Sequence, residues 1–356
     1  MSYLEKQLIT YIGNKRSLLD FIGYSYEYAC KRLDKKNLIC FDGFSGSGVV
    51  SRLFKEKGAS KVISNDLEDY ARVISECYLA NKSEVTKETL SLIDFLENTK
   101  LEGDSSFSYP MGLIELFYAP EEDENIQSGE RVFYTNKNAK IIDNTRARTD
   151  NKFVLGPLLS EASVKTNTGG VFKGFYKDKN TGLGKFGGTS GQALSRILGE
   201  ITISPPILSD KECEYEVLQT YTETVTHEMD FAYYDPPYNQ HPYSSNYHIL
   251  NTITSYKEPE DMSDVAGIPT NWNRSDFNYK KSALKAMDAT ISAINAPIIA
   301  ISFNNEGFIT EEEFETLLSS YGTYESLNTK YNTYRASRNL ANRELYTTES
   351  LYILEK

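Results

Sequence analysis

Asp235-Pro236-Pro237-Tyr238 closes a short apolar run, Phe231-Ala232-Tyr233-Tyr234. The run reads as a buried strand of a parallel sheet. Neither proline has an N–H to give to a strand ladder, so the chain must leave the sheet there. Open α/β sheets place their ligands at that carboxyl edge. A carboxylate and a proline carbonyl held rigidly side by side, with an aromatic ring close behind, suit a planar amine. The two acceptors would take its N–H bonds and the ring would stack on its face. The alternative is a loop stiffened by proline, and the tetrapeptide alone does not decide between them.

The elements needed to position such a turn precede it. Asn37–Asp42 reads as a buried strand that runs into Gly43-Phe44-Ser45-Gly46-Ser47-Gly48 and then a helix through Lys57. A strand, a glycine turn and a helix let backbone approach a ligand in front of a helix N-terminus. A second strand, Lys61–Asn65, ends in Asp66, where an acidic residue usually holds a ribose diol. An adenosine-type ligand is expected, and the missing third glycine of the dinucleotide fingerprint argues against a nicotinamide dinucleotide. Tyr11-Ile12-Gly13-Asn14-Lys15-Arg16, ahead of a helix over Ser17–Leu33, offers a lysine-bearing turn for a carboxylate or phosphate.

The alternation stops after Thr99. From about 100 to 212 the chain is rich in Asn, Gly, Ser and Lys, and only Gln192–Glu200 reads as a helix. Recurrent aromatics (Phe133, Tyr134, Phe153, Phe172, Phe175, Tyr176) argue for an insertion with a small fold of its own. Residues 131–185 hold eleven Lys and Arg against four Asp and Glu, a surplus of +7; the net charge of −12 then leaves −19 on the remainder. A basic segment on an acidic body suits one DNA-facing surface, not a protein that coats nucleic acid through bulk charge. Strands resume near Tyr215 and at Pro297–Phe303, helices are expected at Ser282–Asn295 and Glu311–Ser320, and a hairpin over Tyr324–Tyr334 and Ser350–Leu354 ends the chain. Residues 255–281, with Trp272, Arg274, Phe277 and Lys280, are irregular.

The expected division is 1–99, the cofactor-binding half of a catalytic domain; 100–212, an inserted target-recognition domain; and 213–356, the catalytic half, with a DNA-facing insertion over 241–281. No run of about 18 apolar residues is present, so no membrane span is expected. The four cysteines are scattered, without CxxC spacing, and with three histidines the sequence offers no metal set. Reduced thiols suit a cytoplasmic protein.

Four motifs in this order, Tyr11–Lys15, Asp42–Gly48, Asp66 and Asp235–Tyr238, resemble those of amino DNA methyltransferases. A lysine motif first, then glycine motif, long insertion and DPPY turn, resembles the D12-class, Dam-like (group α) adenine-N6 enzymes. Asn239–Ile253, Ser302-Phe303-Asn304-Asn305-Glu306-Gly307 and the terminal hairpin are similar to that family too. The resemblance implies a Rossmann-like S-adenosylmethionine-dependent methyltransferase sheet with a C-terminal antiparallel hairpin and an inserted recognition domain. It implies S-adenosylmethionine as cofactor and double-stranded DNA as partner, in a bacterial or phage-encoded enzyme, and leaves open whether a cognate restriction endonuclease exists.

Residue by residue, the resemblance gives Tyr11 and Lys15 the methionine end of the cofactor, with Lys15 facing its carboxylate. Asp42, Phe44, Ser45, Gly46 and Gly48 would wrap methionine and ribose, and Asp66, with Leu67 beside it, would hold the ribose hydroxyls. Asp235 and the Pro236 carbonyl would accept from the adenine amino group in the turn stiffened by Pro237, and Tyr238 would stack on the base. The acidic residue expected after the third strand, near Thr220–Glu223, is not assignable. Arg146, Arg148, Asn239, Arg274, Lys280, Arg335 and Arg338 are the expected DNA contacts, with Asn167 as a further base reader. Alternatives are an RNA-base or protein-glutamine methyltransferase, which would carry Asn at position 235 or lack the lysine motif. An inactive DNA-recognition protein would have lost Asp235 or Tyr238. An N4-cytosine enzyme often has Ser at that position.

Overall fold

In the computed structural model, residues 2–102, 112–188, 191, 193–332 and 346–356 are described. The central apolar runs become strands buried on both faces, and the edge strands at either end of the sheet are more exposed. These are β1 (Ile39–Asp42), β2 (Lys61–Asn65), β3 (Glu214–Leu218), β4 (Phe231–Tyr234), β5 (Ile298–Asn304), β6 (Thr323–Asn332) and β7 (Tyr346–Glu355). They form a seven-stranded sheet in the order β3-β2-β1-β4-β5-β7-β6. Strands β1 to β5 pair in parallel, and β7 runs antiparallel between β5 and β6.

Twelve α-helices are seen among the described residues: α1 (Leu19–Arg32), α2 (Val49–Lys57), α3 (Asp69–Tyr78), α4 (Lys87–Thr99), α5 (Leu113–Tyr118), α6 (Asn136–Arg148), α7 (Lys152–Lys165), α8 (Leu194–Leu198), α9 (Tyr243–Asn246), α10 (His248–Ser255), α11 (Ala283–Ala293) and α12 (Glu311–Ser319). Alternate residues of each central strand feed two cores. Cys40, Phe231, Tyr233, Ile298 and Ala300 pack with α1 and α2. Phe41, Ala232, Tyr234, Ile299 and Ile301 pack with α11 and α12. No described helix is long and apolar enough to cross a membrane.

The chain builds outward from β1 through β2 to β3, then crosses back to β4 and β5. The direction of winding therefore reverses between β1 and β4, and a crevice opens beyond their carboxyl ends. Asp42-Gly43 and Asp235 stand there, on neighbouring strands. Because β7 is antiparallel, its first residues reach the same edge, with Glu349 opposite Asn304 at the end of β5.

Residues 100–212 differ most from expectation. They contain α5, α6 and α7, where the sequence predicts irregular chain, besides α8 where it predicts a helix. Their apolar side chains do not form a core of their own. Phe133, Ile141, Leu158 and Phe172 share one cluster with Tyr70, Ile74 and Cys77 of α3 and Ile249 and Ile253 of α10. The Gly156-Pro157 pair that imitates a loop lies inside α7, and a Cβ at Gly156 would come within 2.6 Å of Cys77, so this glycine permits the close α7–α3 approach.

Candidate active site

The turn after β1 is shaped by its glycines. The N–H of Gly43 donates to Tyr233 O at 3.0 Å, and Ser45 N–H to Asn65 O at 2.9 Å, so the loop is tied to β4 and β2. Gly46 sits at φ +48°, and a Cβ there would meet the Tyr11 ring at 2.7 Å. Asp66 fastens this loop from below, accepting from Gly46 N–H at 2.8 Å and Glu68 N–H at 3.0 Å. Burial raises the Asp66 carboxyl and these N–H donors oppose the rise. Asp42, fully buried, accepts from Ser51 Oγ at 2.6 Å; burial pushes it up to about 7.

The glycine turn, Asp66 and the proline turn open onto one cleft with about 890 Å³ of empty space. Tyr11, Lys15, Phe44, Ser45, Gly46, Asp66, Leu67, Asp235 and Pro237 all line it. Asp42 and Gly48 support it from below: Asp42 bonds Ser51 on α2, and Gly48, at φ +71°, caps that helix. Tyr238 is half-buried, and its carbonyl accepts from Phe308 N–H at 3.1 Å.

Lys15 is aimed differently from the sequence expectation. Its ammonium, almost fully buried, lies 2.9 Å from Asp235 Oδ1 and 3.1 Å from Glu349 Oε1, and donates to Gly13 O at 3.3 Å. It therefore pairs with the proline turn and the last strand while still lining the cleft. Burial opposes its charge, but the two carboxylates override this and hold Lys15 protonated. Burial raises Asp235 to about 6 against the pull of Lys15.

Three groups escaped the sequence reading. Asn65 knits the strand ends: its Nδ2 donates to Gly43 O at 3.2 Å and Thr220 O at 3.0 Å, and its Oδ1 accepts from Thr220 N–H at 3.1 Å. A polar residue closing an apolar strand was its signal. No acidic side chain was assignable after β3; the structure sets Thr220, Tyr221, Thr222 and Glu223 along the cleft there. Glu68 lines the cleft, accepts from Asn251 Nδ2 at 2.6 Å, and is raised to about 8 by burial and then by Asp66. Glu349 was legible as a charge on a strand face otherwise shared by Leu351 and Ile353.

The Tyr11 segment is clamped from the proline-turn side. Tyr11 stacks against both Tyr243 and Tyr247, each at 4.9 Å between centroids. Tyr247 Oη accepts from Ile12 N–H at 2.7 Å, and Tyr243 Oη donates to Ile12 O at 3.2 Å. The segment after Tyr238 thus holds the backbone that carries Lys15.

The expected DNA contacts divide. Arg146 is a correction. It is buried, and its guanidinium donates to Ile253 O at 2.7 Å and Thr254 O at 3.1 Å, capping the carbonyl end of α10. Arg148 is likewise engaged, with Thr99 O at 3.1 Å and Glu102 O at 2.7 Å. Asn167 is fully buried and spends its amide on Val132 O at 2.8 Å, Lys185 O at 3.0 Å and Gly187 N–H at 3.0 Å. The polar positions of the insertion that looked like base readers are internal braces. Arg274 and Lys280 are exposed, and the Arg274 guanidinium lies 3.9 Å over the Trp272 ring. Asn239 is half-buried, and its carbonyl accepts from Asn278 Nδ2 at 2.9 Å. Arg335 and Arg338 lie outside the described residues.

A family model described as D12 class N6 adenine-specific DNA methyltransferase matches residues 11–317. The chain is 26% identical to a type II methyltransferase, M.NlaIII, of Neisseria lactamica, over 98% of this chain and 99% of that protein. It is 31% identical to the type II methyltransferase M.CviAII of Paramecium bursaria Chlorella virus 1, over 89% of this chain and 90% of that one. It also matches the modification methylase LlaI of Lactococcus lactis at 27% identity, over 91% of this chain and 51% of that longer protein.

Proposed function

Because the chain belongs to the D12 class N6 adenine-specific DNA methyltransferase family, we propose that its cleft divides into a cofactor half built on Asp66 and a base half built on Asp235. The protein is a site-specific DNA methyltransferase that moves a methyl group from S-adenosylmethionine to N6 of an adenine flipped out of double-stranded DNA. The family assignment sets aside the RNA, protein-glutamine and inactive alternatives. The observation that carries the division is that Asp235 and Asp66 line one cleft from opposite sides of the β1–β4 crevice.

The donor set fits S-adenosylmethionine. Asp66 and Glu68 offer acceptors to ribose hydroxyls, Phe44, Leu67 and Phe277 offer apolar walls to an adenine ring, and the surrounding carboxylates suit a sulfonium cation. When bound, the cofactor supplies an electrophilic methyl group. The protein's part is at the amine. The lone pair of an adenine amino group is delocalised into its ring, so it is a poor nucleophile. Asp235 and the Pro236 carbonyl accept its two N–H bonds, draw the nitrogen toward sp³ geometry and stabilise the positive charge that develops there. Alignment does the rest, with reacting atoms about 3–3.5 Å apart. Tyr238 stacks on the flipped base and offsets on the order of 1–3 kcal/mol of lost stacking.

Asp235 stabilises the positive charge developing on the amine only while it is ionised. With its carboxyl raised to about 6 in the free protein, kcat/KM for DNA should be flat above that pH and fall as the pH drops through it. A pH profile of methyl transfer checks this, and an acid limb near the ordinary carboxylate value would contradict it.

The DNA-facing surface follows from what borders the proline turn. Residues 173–185 form a tight loop with Lys173, Lys177, Lys179 and Lys185 exposed around half-buried Phe175 and Tyr176. Its root is bonded to the segment after Tyr238: Phe172 N–H donates to Asn246 O at 2.8 Å, and His248 Nε2 lies 2.9 Å from Phe172 O. This loop, together with Trp272, Arg274 and Lys280, is assigned to the DNA backbone. Replacing Lys177 and Lys179 together by alanine should raise KM for DNA about tenfold and lower the salt dependence of binding by one to two charges. Cofactor affinity should not change. An unaltered salt slope would remove this loop from the interface. A cytoplasmic setting is consistent with relatives named type II methyltransferases.

A further inference from the structure

The Lys15–Asp235 pair poses a problem for the chemistry assigned above. Asp235 must face a nitrogen that becomes positive, beside a cationic sulfonium. An ammonium 2.9 Å from Asp235 Oδ1 works against both. A two-member pair of this kind would be neutral, and its positive member would repel the developing charge.

The last strand resolves this. Glu349 Oε1 stands 3.1 Å from the same ammonium, and the Lys15 and Glu349 side chains are 6% and 4% exposed. Glu349 is there because β7 runs antiparallel to β5, which brings residues from the start of the strand to the ligand edge. Its neighbours two and four positions on, Leu351 and Ile353, are fully buried in the core. A carboxylate at the end of such a face is costly to bury unless it is paired. The ammonium thus has two carboxylates and the Gly13 carbonyl around it, and the cluster carries a net charge of −1 instead of zero.

We propose that Glu349 is a positioning residue for methyl transfer: it neutralises Lys15, so that Lys15 orients Asp235 without cancelling the charge that Asp235 presents to the adenine amine. Lys15 is then a structural cation between two carboxylates, and the hairpin completes the active site. The direction of the electrostatics agrees, since Glu349 raises the Asp235 carboxyl while Lys15 lowers it.

This inference rests on the role given to Asp235, and the test separates the two. Methyl transfer to duplex DNA is measured across pH for wild type, D235A, E349Q, E349D and the double variant K15M/E349Q, with cofactor Kd determined for each. E349Q should lower kcat about 10- to 100-fold, less than loss of a direct contact. Its cofactor Kd should stay within about threefold, and its acid limb should move to lower pH, because the carboxylate that raised Asp235 is gone. E349D keeps the charge and should retain most of kcat and the wild-type acid limb. At pH 8 the double variant restores a net charge of −1 and should be faster than E349Q. A purely structural role predicts the reverse order, and a double variant slower than E349Q overturns the proposal. So does equal loss in E349D and E349Q, including loss through failure to fold. Wild-type kcat and acid limb in E349Q, with D235A inactive, would refute Glu349 alone. An active D235A would refute the reading on which it rests.

Discussion

Replacing Asp235 by alanine is expected to lower kcat for methyl transfer by about 10³-fold or more while cofactor Kd changes less than about threefold. Removing a single preorganised group that stabilises transition-state charge costs about 10²–10³ in rate, and Asp235 contributes both an acceptor and a full charge. Its carboxylate stands at the end of β4, across the crevice from Asp66 at the end of β2. The substitution also leaves Lys15 with Glu349 as a partner, so no buried cation is orphaned and the fold should survive. Equilibrium binding of the cofactor alongside single-turnover methylation separates the two effects. A cofactor affinity lost together with the rate would contradict the division of the cleft.

Asp66→Ala should show the opposite pattern, raising cofactor Kd about 100-fold. Hydrogen bonds to a charged group contribute about 1.5–3 kcal/mol each. The carboxylate is assigned to the ribose hydroxyls, and it also anchors Gly46 N–H at 2.8 Å and Glu68 N–H at 3.0 Å. Its removal takes away a ligand contact and unfastens the glycine turn. At saturating cofactor, kcat should recover to within about tenfold of wild type. Isothermal titration measures the first effect and a cofactor-concentration series the second; an unchanged Kd would move the ribose site elsewhere.

The sheet and the two turns were legible in the sequence because each follows from local chemistry. Apolar runs buried on both faces have no polar alternation to confuse them, and Asp235-Pro236 ends a strand wherever it occurs. Expectation and structure agree on Phe231–Tyr234 to the residue. The insertion was not legible for the opposite reason. Helix α6 is polar, with Asn136, Asn138 and Asn144, and its buried Asp143 and Arg146 cap α5 and α10, a role visible only once those helices are neighbours. Helix α7 is buried over most of its surface, so it shows no amphipathic stripe, and Gly156-Pro157 imitates a turn. Buried arginines and asparagines therefore passed for DNA readers, because sequence shows residue type and not burial. Glu349 is more than 300 residues from Lys15 in the chain, and only the antiparallel seventh strand brings them together.

The most direct test of the central claim is to incubate the protein with S-adenosylmethionine and unmethylated genomic DNA of mixed sequence, then map modified bases by long-read sequencing, with Asp235→Ala alongside. N6-methyladenine confined to one short sequence motif, and absent with the variant, is the predicted result. Methylation of another base, or adenine methylation that persists in the Asp235→Ala protein, would contradict it.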